Sequence, residues 1–318
     1  MPVALYILAA LAALFLAVCL VCFRMAFYVS KADRTPKEEY PIPEGKIYEP
    51  YREQMVAWMK EARAMECKHY TIRSFDGLEL HANFYEYAPG APIEIMFHGY
   101  RGSAERDLCG GIQRCFALGR SILLIDQRCS GKSQGHVITF GIREHQDCID
   151  WANFAVKEFG PDVKLILTGI SMGASTVLMA AGKELPPQVI GVLADCGFST
   201  AREIICKVIR QLKLPVKPAY PFVRLAARLF GGFKLEEYSA LEAMKTCKVP
   251  VIFFHGDSDD FVPWQMSQAN FDACPTPKKL ILVPGAGHGL GYLVDPESYL
   301  QALREFNVYW HLQRKEAL

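Results

Sequence analysis

The chain has 318 residues, of which 51% are hydrophobic and 22% charged, with a formal net charge of +1. That length supports one large α/β domain with a well-buried core. The near-neutral charge excludes a dedicated nucleic-acid binder, so no nucleic-acid partner is expected.

Val3 to Phe23 is an unbroken apolar run. As a helix it spans roughly 30 Å, the hydrocarbon thickness of a bilayer. A cleaved signal sequence carries basic residues before the run and a small-residue cleavage site after it. No Lys or Arg precedes this run, and Arg24-Met25-Ala26-Phe27 lacks such a site. Val18 is likewise too large to precede a lipid-modified Cys19. Residues 1–28 are therefore read as one uncleaved transmembrane anchor. Arg24, Lys31, Arg34 and Lys37 follow it, which places the rest of the chain on the cytoplasmic side. Nine of the 11 cysteines lie beyond the span, an odd number without regular spacing, as in a reducing compartment. No Cys-x-x-Cys pair or Cys/His cluster suggests zinc, and no metal or organic cofactor is expected.

Residues 29–66 read as a charged linker with Pro36, Pro41, Pro43 and Pro50, then an amphipathic helix over Tyr51–Met65. Met55, Trp58, Met59, Ala62 and Met65 form its apolar stripe, which is expected to pack on the main domain rather than lie on a membrane. From residue 67 strand and helix alternate. Strands are predicted at Tyr70–Ser74, Leu78–Tyr85, Ile93–Phe97, Ser121–Ile125, Val163–Thr168, Val189–Ala194, Val251–His255 and Leu280–Val283. Helices are predicted at Ala104–Leu118, Ile142–Phe159, Met172–Ala181, Trp264–Cys274 and Pro296–His311. The later strands are short apolar runs, as in a mostly parallel sheet covered by helices on both faces. Asp76-Gly77 between the first two strands signals an antiparallel hairpin. From about 200 to 247 no strand is predicted, and this stretch reads as a helical lid insertion. Between Ala201 and Leu235 it carries Arg202, Lys207, Arg210, Lys213, Lys217, Arg224, Arg228 and Lys234 against the single acid Glu203. Such a face is either simply solvated or turned toward an anionic membrane or substrate.

The chemistry-bearing motif is Gly169-Ile170-Ser171-Met172-Gly173, between a predicted strand and a predicted helix. Glycines on either side of Ser171 permit a sharp strand-to-helix turn that exposes the hydroxyl at a helix N-terminus. A serine needs a base to act as nucleophile, and His288 in Gly285-Ala286-Gly287-His288-Gly289 follows the last strand. An acid must orient that histidine. Asp257, Asp259 and Asp260 all follow the penultimate strand, and spacing alone does not separate them; Asp195 is an outside candidate. Phe97-His98-Gly99-Tyr100 offers an oxyanion turn, with the backbone N–H groups of Tyr100 and Met172 as donors. Gly131-Lys132-Ser133 imitates the end of a phosphate-binding loop, but Asp126 stands where that loop requires glycine.

Taken together, these motifs resemble the membrane-anchored bacterial α/β hydrolases grouped with serine aminopeptidase-like and Bem46-like proteins. The resemblance covers roughly residues 65–312 and rests on His98-Gly99-Tyr100, the Asp126–Ser133 loop, Ile138–Gly141, Gly169–Gly173, Asp195–Phe198, His255-Gly256 with Asp259, Val262 and Pro263, and Gly285–Gly289. It implies an α/β-hydrolase fold over residues 67–318, with a mostly parallel eight-stranded sheet. It also selects Asp259 as the acid beside Ser171 and His288. The expected activity is hydrolysis of a carboxylic ester in a small-molecule or lipid-like acyl substrate. The alternatives are a peptidase or thioesterase on the same triad, or a non-catalytic binding protein.

Overall fold

The structure, a computed structural model, describes residues 2–316, with side chains described for residues 3–306. Met1, Ala317 and Leu318, which open the expected anchor and close the expected domain, lie outside the described residues. Eight strands make one sheet: β1 (Lys68–Arg73), β2 (Glu79–Tyr85), β3 (Ile93–Phe97), β4 (Ser121–Asp126), β5 (Leu165–Ile170), β6 (Val189–Asp195), β7 (Val251–Gly256) and β8 (Lys278–Val283). Their spatial order is β1-β2-β4-β3-β5-β6-β7-β8. β2 pairs antiparallel with both β1 and β4, and every other pairing is parallel. The Asp76-Gly77 turn joins β1 to β2, with Gly77 at φ 90°, a conformation that side-chain-bearing residues rarely adopt.

The helices are α1 (Pro2–Ala26), α2 (Lys31–Arg34), α3 (Arg52–Ala64), α4 (Ala104–Asp107), α5 (Gly111–Ala117), α6 (Glu144–Phe159), α7 (Met172–Ala181), α8 (Ala201–Gln211), α9 (Val216–Ala226), α10 (Ala240–Met244), α11 (Gln265–Ala273), α12 (Gly291–Val294) and α13 (Pro296–Glu316). Alternate strand residues serve opposite layers. Ile93, Ile95 and Phe97 pack with Trp151 of α6 and Val177 of α7. Met96 packs with Ile112 and Cys115 of α5, and Leu193, Ile252 and Phe254 pack with Tyr299 and Leu303 of α13. Each large apolar side chain buried this way stabilises the fold by about 1.5–3 kcal/mol. A buried polar cluster shares the second layer. Glu94 of β3 is fully buried between Arg114, at 2.5 Å, and Arg120, and it accepts a bond from Thr168 Oγ1 at 3.0 Å.

The strand order places the site. After β3 the chain moves to β4 on one side, then crosses to β5 on the other. Such a reversal opens a crevice at the carboxyl ends of the two strands, where open α/β sheets bind ligands. Phe97 of β3 is in register with Gly169 of β5, so the turns that follow them flank one crevice.

Three expectations are corrected. The single helix over Ala104–Leu118 is two helices, α4 and α5, with a break at Leu108–Gly110. A Cβ on Gly110 would stand 2.7 Å from the Trp58 ring, and one on Gly111 would stand 2.9 Å from Met96 Sδ. The glycines permit these approaches and weaken the helix where they sit. Strand ends also move: β1 begins at Lys68 and β5 runs on to Ile170. Finally, residues 29–49 are not a free linker. Tyr28 bridges Val137, Arg34 Nη1 donates to the Ser133 carbonyl at 2.7 Å, and Val29, Ile42 and Tyr48 are buried. Apolar side chains scattered among the charges fasten this stretch to the domain.

Met55, Met59 and Ala62 of α3 bury against the domain, whereas Met65 is exposed because the chain turns extended there. Between β6 and β7 lie α8, α9, a π-helical turn at Ala227–Gly231, and α10. Among the described residues one helix is long and apolar enough to cross a membrane, over Val3–Ala26, and it is a candidate anchor. Its first turns are exposed, while Cys19 and Phe23 are buried and join the core.

Candidate active site

Ser171 is the single residue between β5 and α7, at φ 58° and ψ −119°. A non-glycine residue held at positive φ costs about 1–3 kcal/mol, so its surroundings must enforce it. The Ser171 N–H donates to the Asp195 carbonyl at 2.8 Å, and the Ser171 carbonyl accepts from Ser175 N at 3.1 Å. A Cβ on Gly169 would fall 2.2 Å from the Gly173 carbonyl carbon, and one on Gly173 would fall 2.0 Å from the Phe97 oxygen. Only glycine at both positions lets α7 leave β5 so abruptly. The Ser171 hydroxyl consequently sits at the positive end of the α7 dipole.

His288 occupies the loop between β8 and α12, flanked by Gly285 and Gly289 at φ 72° and 66°. This loop crosses the end of β7 closely; a Cβ on Gly256 would lie 2.0 Å from the Ala286 oxygen. The crossing brings three side chains into one line. His288 Nε2 is 2.9 Å from Ser171 Oγ, and His288 Nδ1 is 2.7 Å from Asp259 Oδ2. With Nδ1–H donating to the carboxylate, Nε2 is left to accept the serine proton. Tyr48 donates its hydroxyl to the His288 carbonyl at 3.0 Å, and the Phe261 ring stands edge-on to the imidazole at 5.1 Å.

The structure separates the competing aspartates. Asp259 Oδ1 accepts from the Phe261 and Val262 amides at 2.9 and 2.8 Å, leaving Oδ2 for His288. Burial pushes the Asp259 carboxyl up, but bonds from His255, His288 and the Val262 amide outweigh it and hold the group well below the usual carboxylate range. Asp257 Oδ1 instead accepts from Gly285 N at 2.7 Å and ties the two loops together. Asp260 offers its carbonyl to Lys207 and caps no helix, since α11 begins after Trp264 without a side-chain cap. Asp195 accepts from Tyr299 at 2.9 Å, and burial raises its carboxyl. It makes no bond to His288.

The Gly99 turn flanks the serine; a Cβ on Gly99 would stand 3.5 Å from Ser171 Cβ. Asp107 Oδ2 accepts from Gly99 N at 3.0 Å, and Asp107 Oδ1 is held by Arg106 Nε at 2.6 Å. That leaves the Tyr100 amide, with that of Met172 at the start of α7, without an acceptor among the described residues. His98 supports the turn from behind. Its Nδ1 donates to the Gly99 carbonyl at 2.8 Å while Nε2 accepts from Gln127 N at 3.1 Å, and burial lowers its pKa and keeps it neutral.

Several supporting roles are not visible in the sequence, although His255 and Cys196 themselves stand in its motifs. Asp107 sits on a short helix eight residues past the turn it holds, and Tyr48 arrives from a stretch that reads as linker. His255 Nε2 donates to the Val262 carbonyl at 2.8 Å and lies 3.2 Å from Asp259 Oδ2, while its Nδ1 meets Ser267 Oγ at 2.7 Å. Cys196 Sγ lies within 4.8 Å of the ligand atoms of Asp259 and His288. Burial, with Asp195 and Asp259 nearby, pushes that thiol far up. The run Asp195-Cys196-Gly197-Phe198 was the sole sequence signal for it.

Sheet order, serine turn and terminal histidine loop together define a protein of the α/β-hydrolase fold. Residues 95–241 match the family model described as alpha/beta hydrolase fold. The chain is 27% identical over 190 residues to the protein YqkD of Bacillus subtilis, covering 59% of this chain and 62% of that protein. It thus spans less than two thirds of that relative's length. It is also 25% identical over 277 residues to YfhR of Escherichia coli K12, covering 84% of this chain and 85% of the other. Among solved structures, the Pyrococcus furiosus esterase Pf2001 superposes at a TM-score of 0.64 with 22% identity, over 85% of this chain and 97% of its own. The ferulic acid complex of Est1E from Butyrivibrio proteoclasticus superposes at 0.57 with 20% identity, over 76% and 99%.

Proposed function

We propose that this protein is a serine hydrolase that cleaves carboxylic esters through an acyl-enzyme. The observation that carries the reading is the hydrogen-bonded line from Ser171 through His288 to the ionised Asp259. Ser171 Oγ attacks the acyl carbon while His288 Nε2 takes its proton. The carbonyl oxygen gains negative charge, which the Tyr100 and Met172 amides stabilise. His288 then returns the proton to the departing alkoxide, and the alcohol leaves. A water molecule, deprotonated by the same nitrogen, attacks the acyl-serine and releases the acid. Asp259 keeps the imidazole in its working tautomer and balances the imidazolium charge. These steps use only this chain's residues.

The esterase neighbours favour an oxygen ester over an amide or thioester. The purified protein should be assayed on matched ester, thioester and peptide substrates of one acyl group. Turnover of the ester in preference to the other two supports the proposal, and turnover confined to the peptide overturns it. Apolar helix α1 supports attachment to a membrane, and the basic residues after it, with all 11 cysteines free, support a cytoplasmic catalytic domain.

A further inference from the structure

We infer that the α8–α9 hairpin is a membrane-contacting surface, seated in the headgroup layer of the anionic bilayer leaflet that α1 enters. The inference rests on α1 being an anchor whose exposed first turns, rather than its whole length, enter the bilayer, and three observations carry it.

The first is how α1 and α9 run together. Phe15 meets Phe222 with ring centroids 5.3 Å apart, and Phe23 meets Phe230 at 5.6 Å. Both pairs therefore step the same distance along the chain, so α9 and the turn after it run parallel to α1. The residues just before α9 consequently point toward the exposed, membrane-entering half of α1.

The second is the chemistry of the tip. Helix α8 ends at Gln211 and is closed by Lys213 at φ 58°; Lys213 N donates to the Arg210 carbonyl at 2.9 Å and Leu214 N to the Ile209 carbonyl at 3.1 Å. In such a cap the last apolar residue normally packs back on its own helix. Here Leu214 is 51% exposed and neighbouring Leu212 is 52% exposed. About half of each of these two leucines is open to solvent.

The third is charge. Arg202 and Arg224 lie near Glu236, but Arg210, Lys213, Lys217 and Arg228 have no carboxylate within salt-bridge distance among the described residues. A groove of about 730 Å³ beside the tip is lined by Arg202, Lys207 and Arg210 against the single acid Glu203, with Val216 and Met266 as apolar lining. Exposed leucines rimmed by unpaired cations match the boundary between acyl chains and anionic headgroups. Long Lys and Arg stems let those charges reach the headgroups while the leucines enter below them.

The test uses the full-length protein reconstituted in vesicles of phosphatidylcholine, alone or mixed with phosphatidylglycerol. A tryptophan introduced by Leu214→Trp at this exposed position is read by quenching from brominated acyl chains. Asp162→Trp, exposed in the loop that leads toward β5 at the opposite end of the sheet, is the control. We expect the Leu214→Trp indole to lose emission in brominated vesicles and the control to keep it. Quenching should be stronger with phosphatidylglycerol, and adding Lys213→Glu with Lys217→Glu should return it to the phosphatidylcholine level. Equal emission from the two variants overturns the inference. If that happens while the protein resists alkaline carbonate extraction, α1 is inserted and the hairpin faces water or a protein. If carbonate releases the protein, the anchor reading fails along with it.

Discussion

At the scale of single residues, the geometry assigns separable jobs that substitutions can tell apart. Asp259→Asn preserves shape but removes the charge that orients His288, so kcat should fall by roughly 10³–10⁴-fold with little change in thermal stability. A loss under tenfold in steady-state assays would show that Asp259 is not the orienting acid. Asp107 acts one step further out, through the Gly99 amide. Asp107→Ala should loosen the turn that presents the Tyr100 amide and lower kcat by about 10–100-fold, with KM nearly unchanged. An effect confined to KM would place Asp107 in substrate binding instead. Ser171 and His288 were readable in the sequence because each sits in a glycine-bounded turn whose shape is local. Asp259 was not separable from Asp257 and Asp260 without the resemblance. Which carboxylate meets the histidine depends on how two loops cross at Gly256 and Ala286, and no local pattern encodes that crossing.

At the scale of elements, β3 and β5 carry the site on their ends, and Glu94 braces them from below. Burial pushes the Glu94 carboxyl up, but Arg114 and Arg120 prevail and bring its pKa to about 2. The folded value lies below the ordinary 4.5, so ionised Glu94 contributes stability above that pH and loses it as the pH falls toward about 2. Glu94→Gln leaves two buried guanidinium groups without a counterion and should cost about 3–5 kcal/mol in urea unfolding at neutral pH. The gap to the parent protein should narrow on acidification through that window; a gap independent of pH would contradict this account of the cluster. Most strands were legible because buried parallel strands are short apolar runs. The break between α4 and α5 was not, since it answers to Trp58 and Met96, far away in sequence.

At the scale of the whole molecule, the end of the apolar N-terminal segment is built into the α/β domain. Tyr100 donates its hydroxyl to the Ala26 carbonyl at 3.0 Å, and Arg101 Nη2 donates to the Tyr28 carbonyl at 2.8 Å. Phe27 is fully buried between Phe140 and Phe233, at 5.8 and 5.4 Å. Phe27→Ala should therefore cost about 3–5 kcal/mol in calorimetry or denaturant unfolding. Deleting residues 1–28 should also lower kcat, because the Tyr100–Arg101 turn loses its support; a truncated protein with full kcat would separate the N-terminal segment from the site. The sequence showed the apolar span and the α/β alternation. It did not show the docking, because Phe23 and Phe27 read as the tail of a membrane span until their partners on the domain are known.

The most direct test of the central claim is fluorophosphonate labelling of the purified protein, with the modified peptide mapped by mass spectrometry and Ser171→Ala alongside. A serine activated as described predicts modification at Ser171 alone and none in the variant. An unlabelled, well-folded parent protein would contradict it, as would labelling that persists in Ser171→Ala.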